Sequence, residues 1–335
     1  MLRENTLFLK LSTHHDLVFD ATHAMILELL HDWMGAPFES FQDLTARGKP
    51  RPVTGQLLLD ALHRGVGQGI HQSLRFKLWR ESGCPVRSFE FNAGAHPYTG
   101  AFCTQIDIRV EKSWVERNPQ TAPRVLRKRL IDLARLTHPF QAHAHDTDDN
   151  TIQNVDNLRL LRRGFGLDLT EPVDLSNNPG RELSRGNLRY AVNWLTLFGP
   201  ELLAQIPPEV VLSAPAGVVT ELDIDPDARK RPAEIVAERL AAQPAAPHGG
   251  DPHGGKPHGG DPHGGDPHGG DPYGGDPEDP APPPKRWLLL SLGDSPLDPD
   301  APAARQAQAA LREHLGFKAL AKDQRYVLGY WQKKL

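Results

Sequence analysis

From Pro247 onward the chain repeats the unit Pro-His-Gly-Gly-Asp, with His248, His253, His258, His263 and His268 evenly spaced and Tyr273 standing where the next histidine would fall. Glycine loses the most backbone entropy on ordering, and nothing in the unit can pack a core. The repeat therefore divides the chain into a long folded part before it and a short strand-and-helix part after it. Lys256 in place of an aspartate and Tyr273 in place of a histidine fit drift in a tolerant surface tether. Residues 244–284 read as a disordered low-complexity linker and residues 1–165 as an N-terminal α+β part. A lone strand and helix after a tether cannot bury their own apolar faces. Residues 285–335 are accordingly assigned, with residues 166–243, to a second α+β part completed across the insertion.

Hydrophobic periodicity supplies the elements. Residues 6–12 alternate as a strand, with Leu7, Leu9 and Leu11 on one face. Met25, Ile26, Leu29, Leu30 and Trp33 form the buried stripe of a helix. Residues 38–52 read as a loop and 56–64 as a short helix. Strands follow at 73–80, 87–92 and 102–110, with turn chemistry at Asn92-Ala-Gly94 and at Pro97-Tyr-Thr-Gly100. Thr121-Ala-Pro123 opens a helix whose Val125, Leu126, Leu130, Leu133 and Leu136 face inward, and residues 140–146 form the next strand. Beyond a polar loop, Leu188, Val192, Trp194, Leu195 and Phe198 are spaced as a helix that Gly199-Pro200 kinks or restarts. Residues 210–213 and 218–224 read as a hairpin, 233–240 as a helix, 287–292 as a strong strand and 303–315 as the closing helix. This order predicts an α+β protein: a mixed or antiparallel sheet with helices packed on one face.

Composition closes off several functions. A net charge of -4 gives no basic stripe for nucleic acid. Cys84 and Cys103 are the only cysteines, too few for a disulfide framework, and Cys103 lies inside an alternating strand as a core thiol. No run approaches the roughly 20 apolar residues of a membrane helix, so a cytoplasmic location is expected. Gly65-Val-Gly67-Gln-Gly69 follows no strand and fails the dinucleotide fingerprint. Neither a phosphate-cradling loop nor a Gly-x-Ser-x-Gly nucleophile elbow is present.

Two places carry chemistry that a metal could use. Histidine followed by glycines can hold copper(II) through the ring and neighbouring amides, and imidazole-rich tracts also suit nickel and zinc. His248, His253, His258, His263 and His268 are thus candidate ligands, in a unit that resembles the Pro-His-Gly-Gly core of the prion protein's copper-binding repeats. Aspartate-proline here replaces the tryptophan that follows there. His143 and His145, two apart on a strand, point the same way and could form half of a metal site with Asp146 or Asp148. The closing Asp-His pair of His-x-His-x-Asp-His hydrolases is missing, and the plain alternative is the solvent-facing side of an edge strand. Acidic stretches at 146–150, 221–227 and 294–300 are either ordinary turns or the grip on a basic partner. Asp146, Asp148, Asp149, Asp294 and Asp298 are the partner-binding candidates.

The run Arg185-Gly-Asn-Leu-Arg-Tyr-Ala-Val-Asn-Trp194-Leu-Thr-Leu-Phe-Gly-Pro-Glu-Leu-Leu203 resembles the "Trp-Leu-Asn" helix segment of immunity-like proteins from bacterial polymorphic-toxin and type VI secretion loci, of the myxobacterial type. Trp287-Leu-Leu-Leu-Ser-Leu-Gly-Asp-Ser-Pro296-Leu-Asp-Pro-Asp300 is similar to their late strand and "Pro-Leu-Asp" turn. The resemblance runs from about residue 185 to 315, and neither motif is catalytic. It implies an α+β protein that binds and blocks a cognate toxin without a cofactor. Three function classes follow: an immunity protein that acts by occlusion, a copper-, nickel- or zinc-binding protein acting through the repeat, and a metal-dependent hydrolase using His143 and His145. The immunity protein is the leading expectation.

Overall fold

In strand β1 (Thr6–Thr13) Leu7, Leu9 and Leu11 are buried, while Phe8 and Lys10 point to the other face. The computed structural model in which this is seen describes residues 6–15, 17, 22–34, 40–43, 49–52, 72–77, 85–95, 102–149, 188, 190–225, 285–298 and 300–322. The remaining strands are β2 (Ser40–Asp43), β3 (Arg51–Pro52), β4 (Gln72–Lys77), β5 (Val86–Ala95), β6 (Phe102–Glu111), β7 (Gln141–Asp146), β8 (Leu195–Phe198), β9 (Val218–Glu221) and β10 (Leu288–Ser291). They make one sheet in the order β3-β2-β4-β5-β6-β1-β7-β8-β10-β9. Every neighbouring pair is antiparallel, which settles the expected α+β class on its antiparallel form.

One face is apolar from β6 to β10. Ile106, Ile108 and Val110 continue the row of Leu7, Leu9 and Leu11, and Ala142, Ala144, Leu195, Leu197 and Leu289 carry it on. Helices α1 (Thr22–Met34) and α3 (Ala122–Thr137) cover this face with Ile26, Leu30, Leu126, Leu130 and Leu133. Each fully buried leucine contributes about 1.5–3 kcal/mol. Short helix α2 (Lys112–Arg117) links β6 to α3. His138 ends α3 in the left-handed region at φ 45°, where its N–H donates to Ala134 O at 2.9 Å.

The opposite face becomes apolar only towards β8 and β10, through Phe198, Leu288 and Leu290. A second helical layer lies there: α4 (Pro200–Leu203), α5 (Pro208–Leu212), α6 (Pro302–His314) and α7 (Phe317–Lys322), which contribute Leu202, Leu203, Val211, Leu311 and Phe317. The expected helical face is joined by this one on the other side. β10 enters between β8 and β9, and β7 pairs with β8, so the sheet runs without a break from the first part of the chain into the last.

Several local expectations are corrected. Residues 188 and 190–198 form no helix. They lead into β8, a strand buried on both faces, whose apolar run hides the period of two. Residues 208–212 are helix α5, opened by Pro207-Pro208, so the expected hairpin with β9 does not form and β9 pairs with β10 instead. The expected loop at 38–52 contains β2 and β3, and Asn92-Ala-Gly94 continues β5. Met25 is exposed and stands off the α1 stripe. The helices expected at 56–64 and 233–240, the boundaries at 165 and 243, and the repeat at 244–284 lie outside the described residues.

Candidate functional site

Among the described residues, the polar part of the second face, on β5, β6, β1 and β7, gathers a cluster of charged and imidazole side chains. Strand pairing sets Lys10 between Asp107 and His143, and Glu90 across from Asp107. In the next row Phe8 lies between Arg109 and His145. Lys10 Nζ stands 3.6 Å from Asp107 Oδ1, and Arg109 Nη2 3.5 Å from Glu90 Oε1. The Arg109 guanidinium sits 5.0 Å from the centre of the Phe8 ring, which stacks on His145 at 5.5 Å. His143 and His145 share this face, as their spacing requires, but β7 is an interior strand and both rings are buried. The solvent-facing edge strand is therefore excluded. His143 Nδ1 lies 3.1 Å from Asn193 Nδ2, a contact in which the amide donates and Nδ1 accepts. Asn193 is held in turn, its N–H donating to Thr196 Oγ1 at 3.0 Å. Among the described residues no group of three or more His, Cys, Asp or Glu is arranged to hold a metal ion.

The acidic run after β7 is spent inside the protein. Asp146, Asp148 and Asp149 are buried, not displayed on a loop. Lys112 Nζ binds Asp146 Oδ2 at 2.8 Å, and the Asp148 N–H donates to Asp146 Oδ1 at 2.7 Å. Burial pulls the Lys112 ammonium pKa down, but the bond to Asp146 and the charges of Asp146, Asp148 and Glu116 outweigh it, so the pKa ends above its ordinary value. Arg305 Nη1 donates to Asp149 Oδ1 at 2.6 Å, and Gln308 Nε2 to both Asp149 oxygens at 3.0 and 3.2 Å. Gln308 Nε2 also reaches Val192 O at 3.0 Å. Asp149 thus ties the end of β7 to α6 and to the approach to β8. Burial, then the like charge of Arg305, lowers the Arg312 pKa on the same helix, against the pull of Asp149. Arg305 and Gln308 lie 156 and 159 residues from Asp149, and no local sequence signal announces them.

Asp294 and Asp298 are exposed, as a surface contact needs. Their turn is pinned: Gly293 takes φ 99°, Trp194 Nε1 and Ser291 Oγ donate to its carbonyl at 3.2 and 3.0 Å, and the Asp300 N–H donates to Asp298 Oδ1 at 3.0 Å. Glu221, Asp223 and Asp225 are exposed at the other end of β9. Arg286 Nε and Nη2 donate to the two Glu221 oxygens at 2.7 and 2.6 Å, and these bonds lower the Glu221 pKa. The candidate ligands His248, His253, His258, His263 and His268 lie outside the described residues.

The molecule is an antiparallel α+β protein with a buried polar network and exposed carboxylates at both ends of its last strand. No family model and no curated protein matches the chain. Among solved structures it is similar to the Pseudomonas aeruginosa T6SS protein PA0821, at 19% identity over 70% of this chain and 71% of that one, with a TM-score of 0.41. A backbone likeness at that level carries no functional argument. Among the described residues no helix is long and apolar enough to cross a membrane.

Proposed function

We propose that the chain is an immunity protein of the polymorphic-toxin or type VI secretion kind, which acts in the cytoplasm by binding a cognate toxin and occluding its active cleft. It acts by binding and needs no cofactor. The observation that carries the reading is the pinned, exposed turn bearing Asp294 and Asp298, which lies within the late segment resembling those immunity proteins. A fixed acidic turn presents charge at little ordering cost, and it suits the basic cleft of a toxin that cuts nucleic acid.

The test is to identify a toxin gene beside the one that encodes this chain, to co-express the two and to follow growth. Rescue by the wild-type chain is expected. The double variant Asp294→Lys, Asp298→Lys should slow association and weaken protection at low salt, with circular dichroism unchanged, because long-range attraction chiefly sets the on-rate. No rescue by the wild-type chain would end the immunity reading. Unchanged association of the double variant would remove this turn from the interface.

A further inference from the structure

Among the described residues β9 closes the sheet at one side, and only its inner side is paired. The Leu222 N–H donates to Trp287 O at 2.9 Å, and Thr220 and Val218 stand opposite Leu289 and Ser291. Antiparallel strands alternate between residues that bond to the partner and residues that do not. Leu222, Thr220 and Val218 therefore bond towards β10, and the N–H and C=O groups of Val219 and Glu221 are directed outward. The far side of β10 obeys the same alternation, since the Leu292 N–H donates to Trp194 O at 2.8 Å, towards β8.

Edges are usually blunted by shortness, a charged side chain, a proline, a bulge or a covering element; the four-residue β9 has its shortness and the charge of Glu221, and neither proline nor bulge. β9 reads Val-Val-Thr-Glu, pairs with β10 in unbroken register, and leaves Val218 63% exposed. Thr220 and Glu221 are exposed with it. Exposed carboxylates lie towards both ends: Asp294, Asp298 and Asp300 follow β10, whose Ser291 pairs with Val218, and Glu221, Asp223 and Asp225 lie at the opposite end. The nearby cations are engaged, Arg286 with Glu221 and Arg135 Nε with the Asp223 carbonyl. Two such edges would repel each other, which disfavours pairing with a second copy and favours a basic occupant.

We infer that the outer edge of β9 takes up an extended, lysine- and arginine-rich segment of the toxin as an additional strand. The backbone of that segment bonds to Val219 and Glu221, and its cations meet the carboxylates at the two ends of the edge. Backbone pairing would supply the affinity and the charges the choice of partner. Only the ownership of the segment rests on the immunity reading.

The test uses the full-length chain and a synthetic peptide of about eight residues alternating lysine and valine, long enough for one strand. Hydrogen exchange at the Val219 and Glu221 amides should slow about tenfold or more with saturating peptide, because those outward donors become bonded. A peptide of equal charge, N-methylated at every second residue along the pairing edge, should give no protection. Equal protection by both peptides, protection confined to other residues, or none at Val219 and Glu221 would overturn the inference. Val219→Pro deletes an outward donor that the β10 ladder does not use, as edge strands tolerate. It should abolish peptide binding with the melting profile kept; if the variant fails to fold, the methylated peptide on the wild-type chain decides. A toxin neutralised equally well by a folded Val219→Pro chain would sink the edge and leave the immunity reading standing. A toxin not neutralised by the wild-type chain, with the peptide result intact, would do the reverse.

Discussion

Glu201, in the first turn of α4, is a carboxyl whose ionisation is opposed by burial. Its Oε2 is buried without a bond, and burial raises its pKa above the ordinary 4.5 against the smaller lowering effects of its backbone bond and His14. For a carboxyl raised on folding, the stabilisation is fully present below 4.5 and is lost as pH climbs through the higher folded value. Glu201→Gln should therefore flatten the fall in melting temperature that begins near pH 4.5 and leave the variant more stable at neutral pH. An unchanged pH slope would contradict this account. Asp149 is a buried carboxylate to which Arg305 and Gln308 are bound. Asp149→Ala strands the Arg305 charge and should cost about 3–5 kcal/mol, whereas Asp294→Ala on the exposed turn should stay within about 0.5 kcal/mol. Urea unfolding of the two variants compares them, and similar losses would mean that the Asp149 cluster contributes little. In the sequence the two acidic runs look alike. What separates them is Lys112, Arg305 and Gln308, which only the tertiary fold brings to one run and not to the other.

At the scale of elements, the junction between β7 and β8 holds the most closely approached of the described glycines, Gly199. A Cβ on Gly199 would stand 2.2 Å from Pro139 O and 2.7 Å from Phe140 Cα, all of it backbone that cannot swing aside. The Gly199 N–H also donates to Phe140 O at 3.0 Å, so the approach is part of the ladder. Gly199→Ala should cost about 3 kcal/mol by forcing the two strands apart, read as a lower melting temperature. A variant that melts with the wild type would show that the start of β7 yields freely. The same junction shows where sequence reading succeeds and where it stops. β1, β6 and α3 were legible because each has one wet or polar face and one buried face, so Leu7-x-Leu9-x-Leu11 and Leu126, Leu130, Leu133 carry their period openly. β8 is buried on both faces, and Trp194, Leu195, Leu197 and Phe198 then match a helical spacing as well as a strand. Residues 288–291 are equally apolar and yet read as a strand, because the prolines at 282–284 and 296 bound them tightly. For the candidate site, the shared face of His143 and His145 followed from their spacing. Their burial did not, since it depends on β1 and β8 flanking β7.

On the scale of the whole molecule, one sheet carries two cores on opposite faces, and β10 serves both. Leu289 joins the core under α1 and α3, and Leu288 and Leu290 join the one under α6 and α7. Losing β10 from the sheet would open both cores at once and strip β9 of its partner. Its seat has to survive whatever length of chain lies between β9 and β10. These two strands are hydrogen-bonded neighbours, so the connection from 226 to 284 has to close a gap of only about 5 Å. Deleting residues 247–275 removes roughly half of that connection, and the remaining chain, treated as a flexible coil, still spans about 30 Å. Halving a loop changes its closure entropy by only about 0.6 kcal/mol, in favour of the shorter one. The deletion should therefore leave β10 between β8 and β9, with a melting temperature within a few degrees of the full chain or slightly above it. Calorimetry on the two proteins decides the matter. A large fall in stability would mean that the Pro-His-Gly-Gly-Asp units pack against the body, and the tether reading would be wrong.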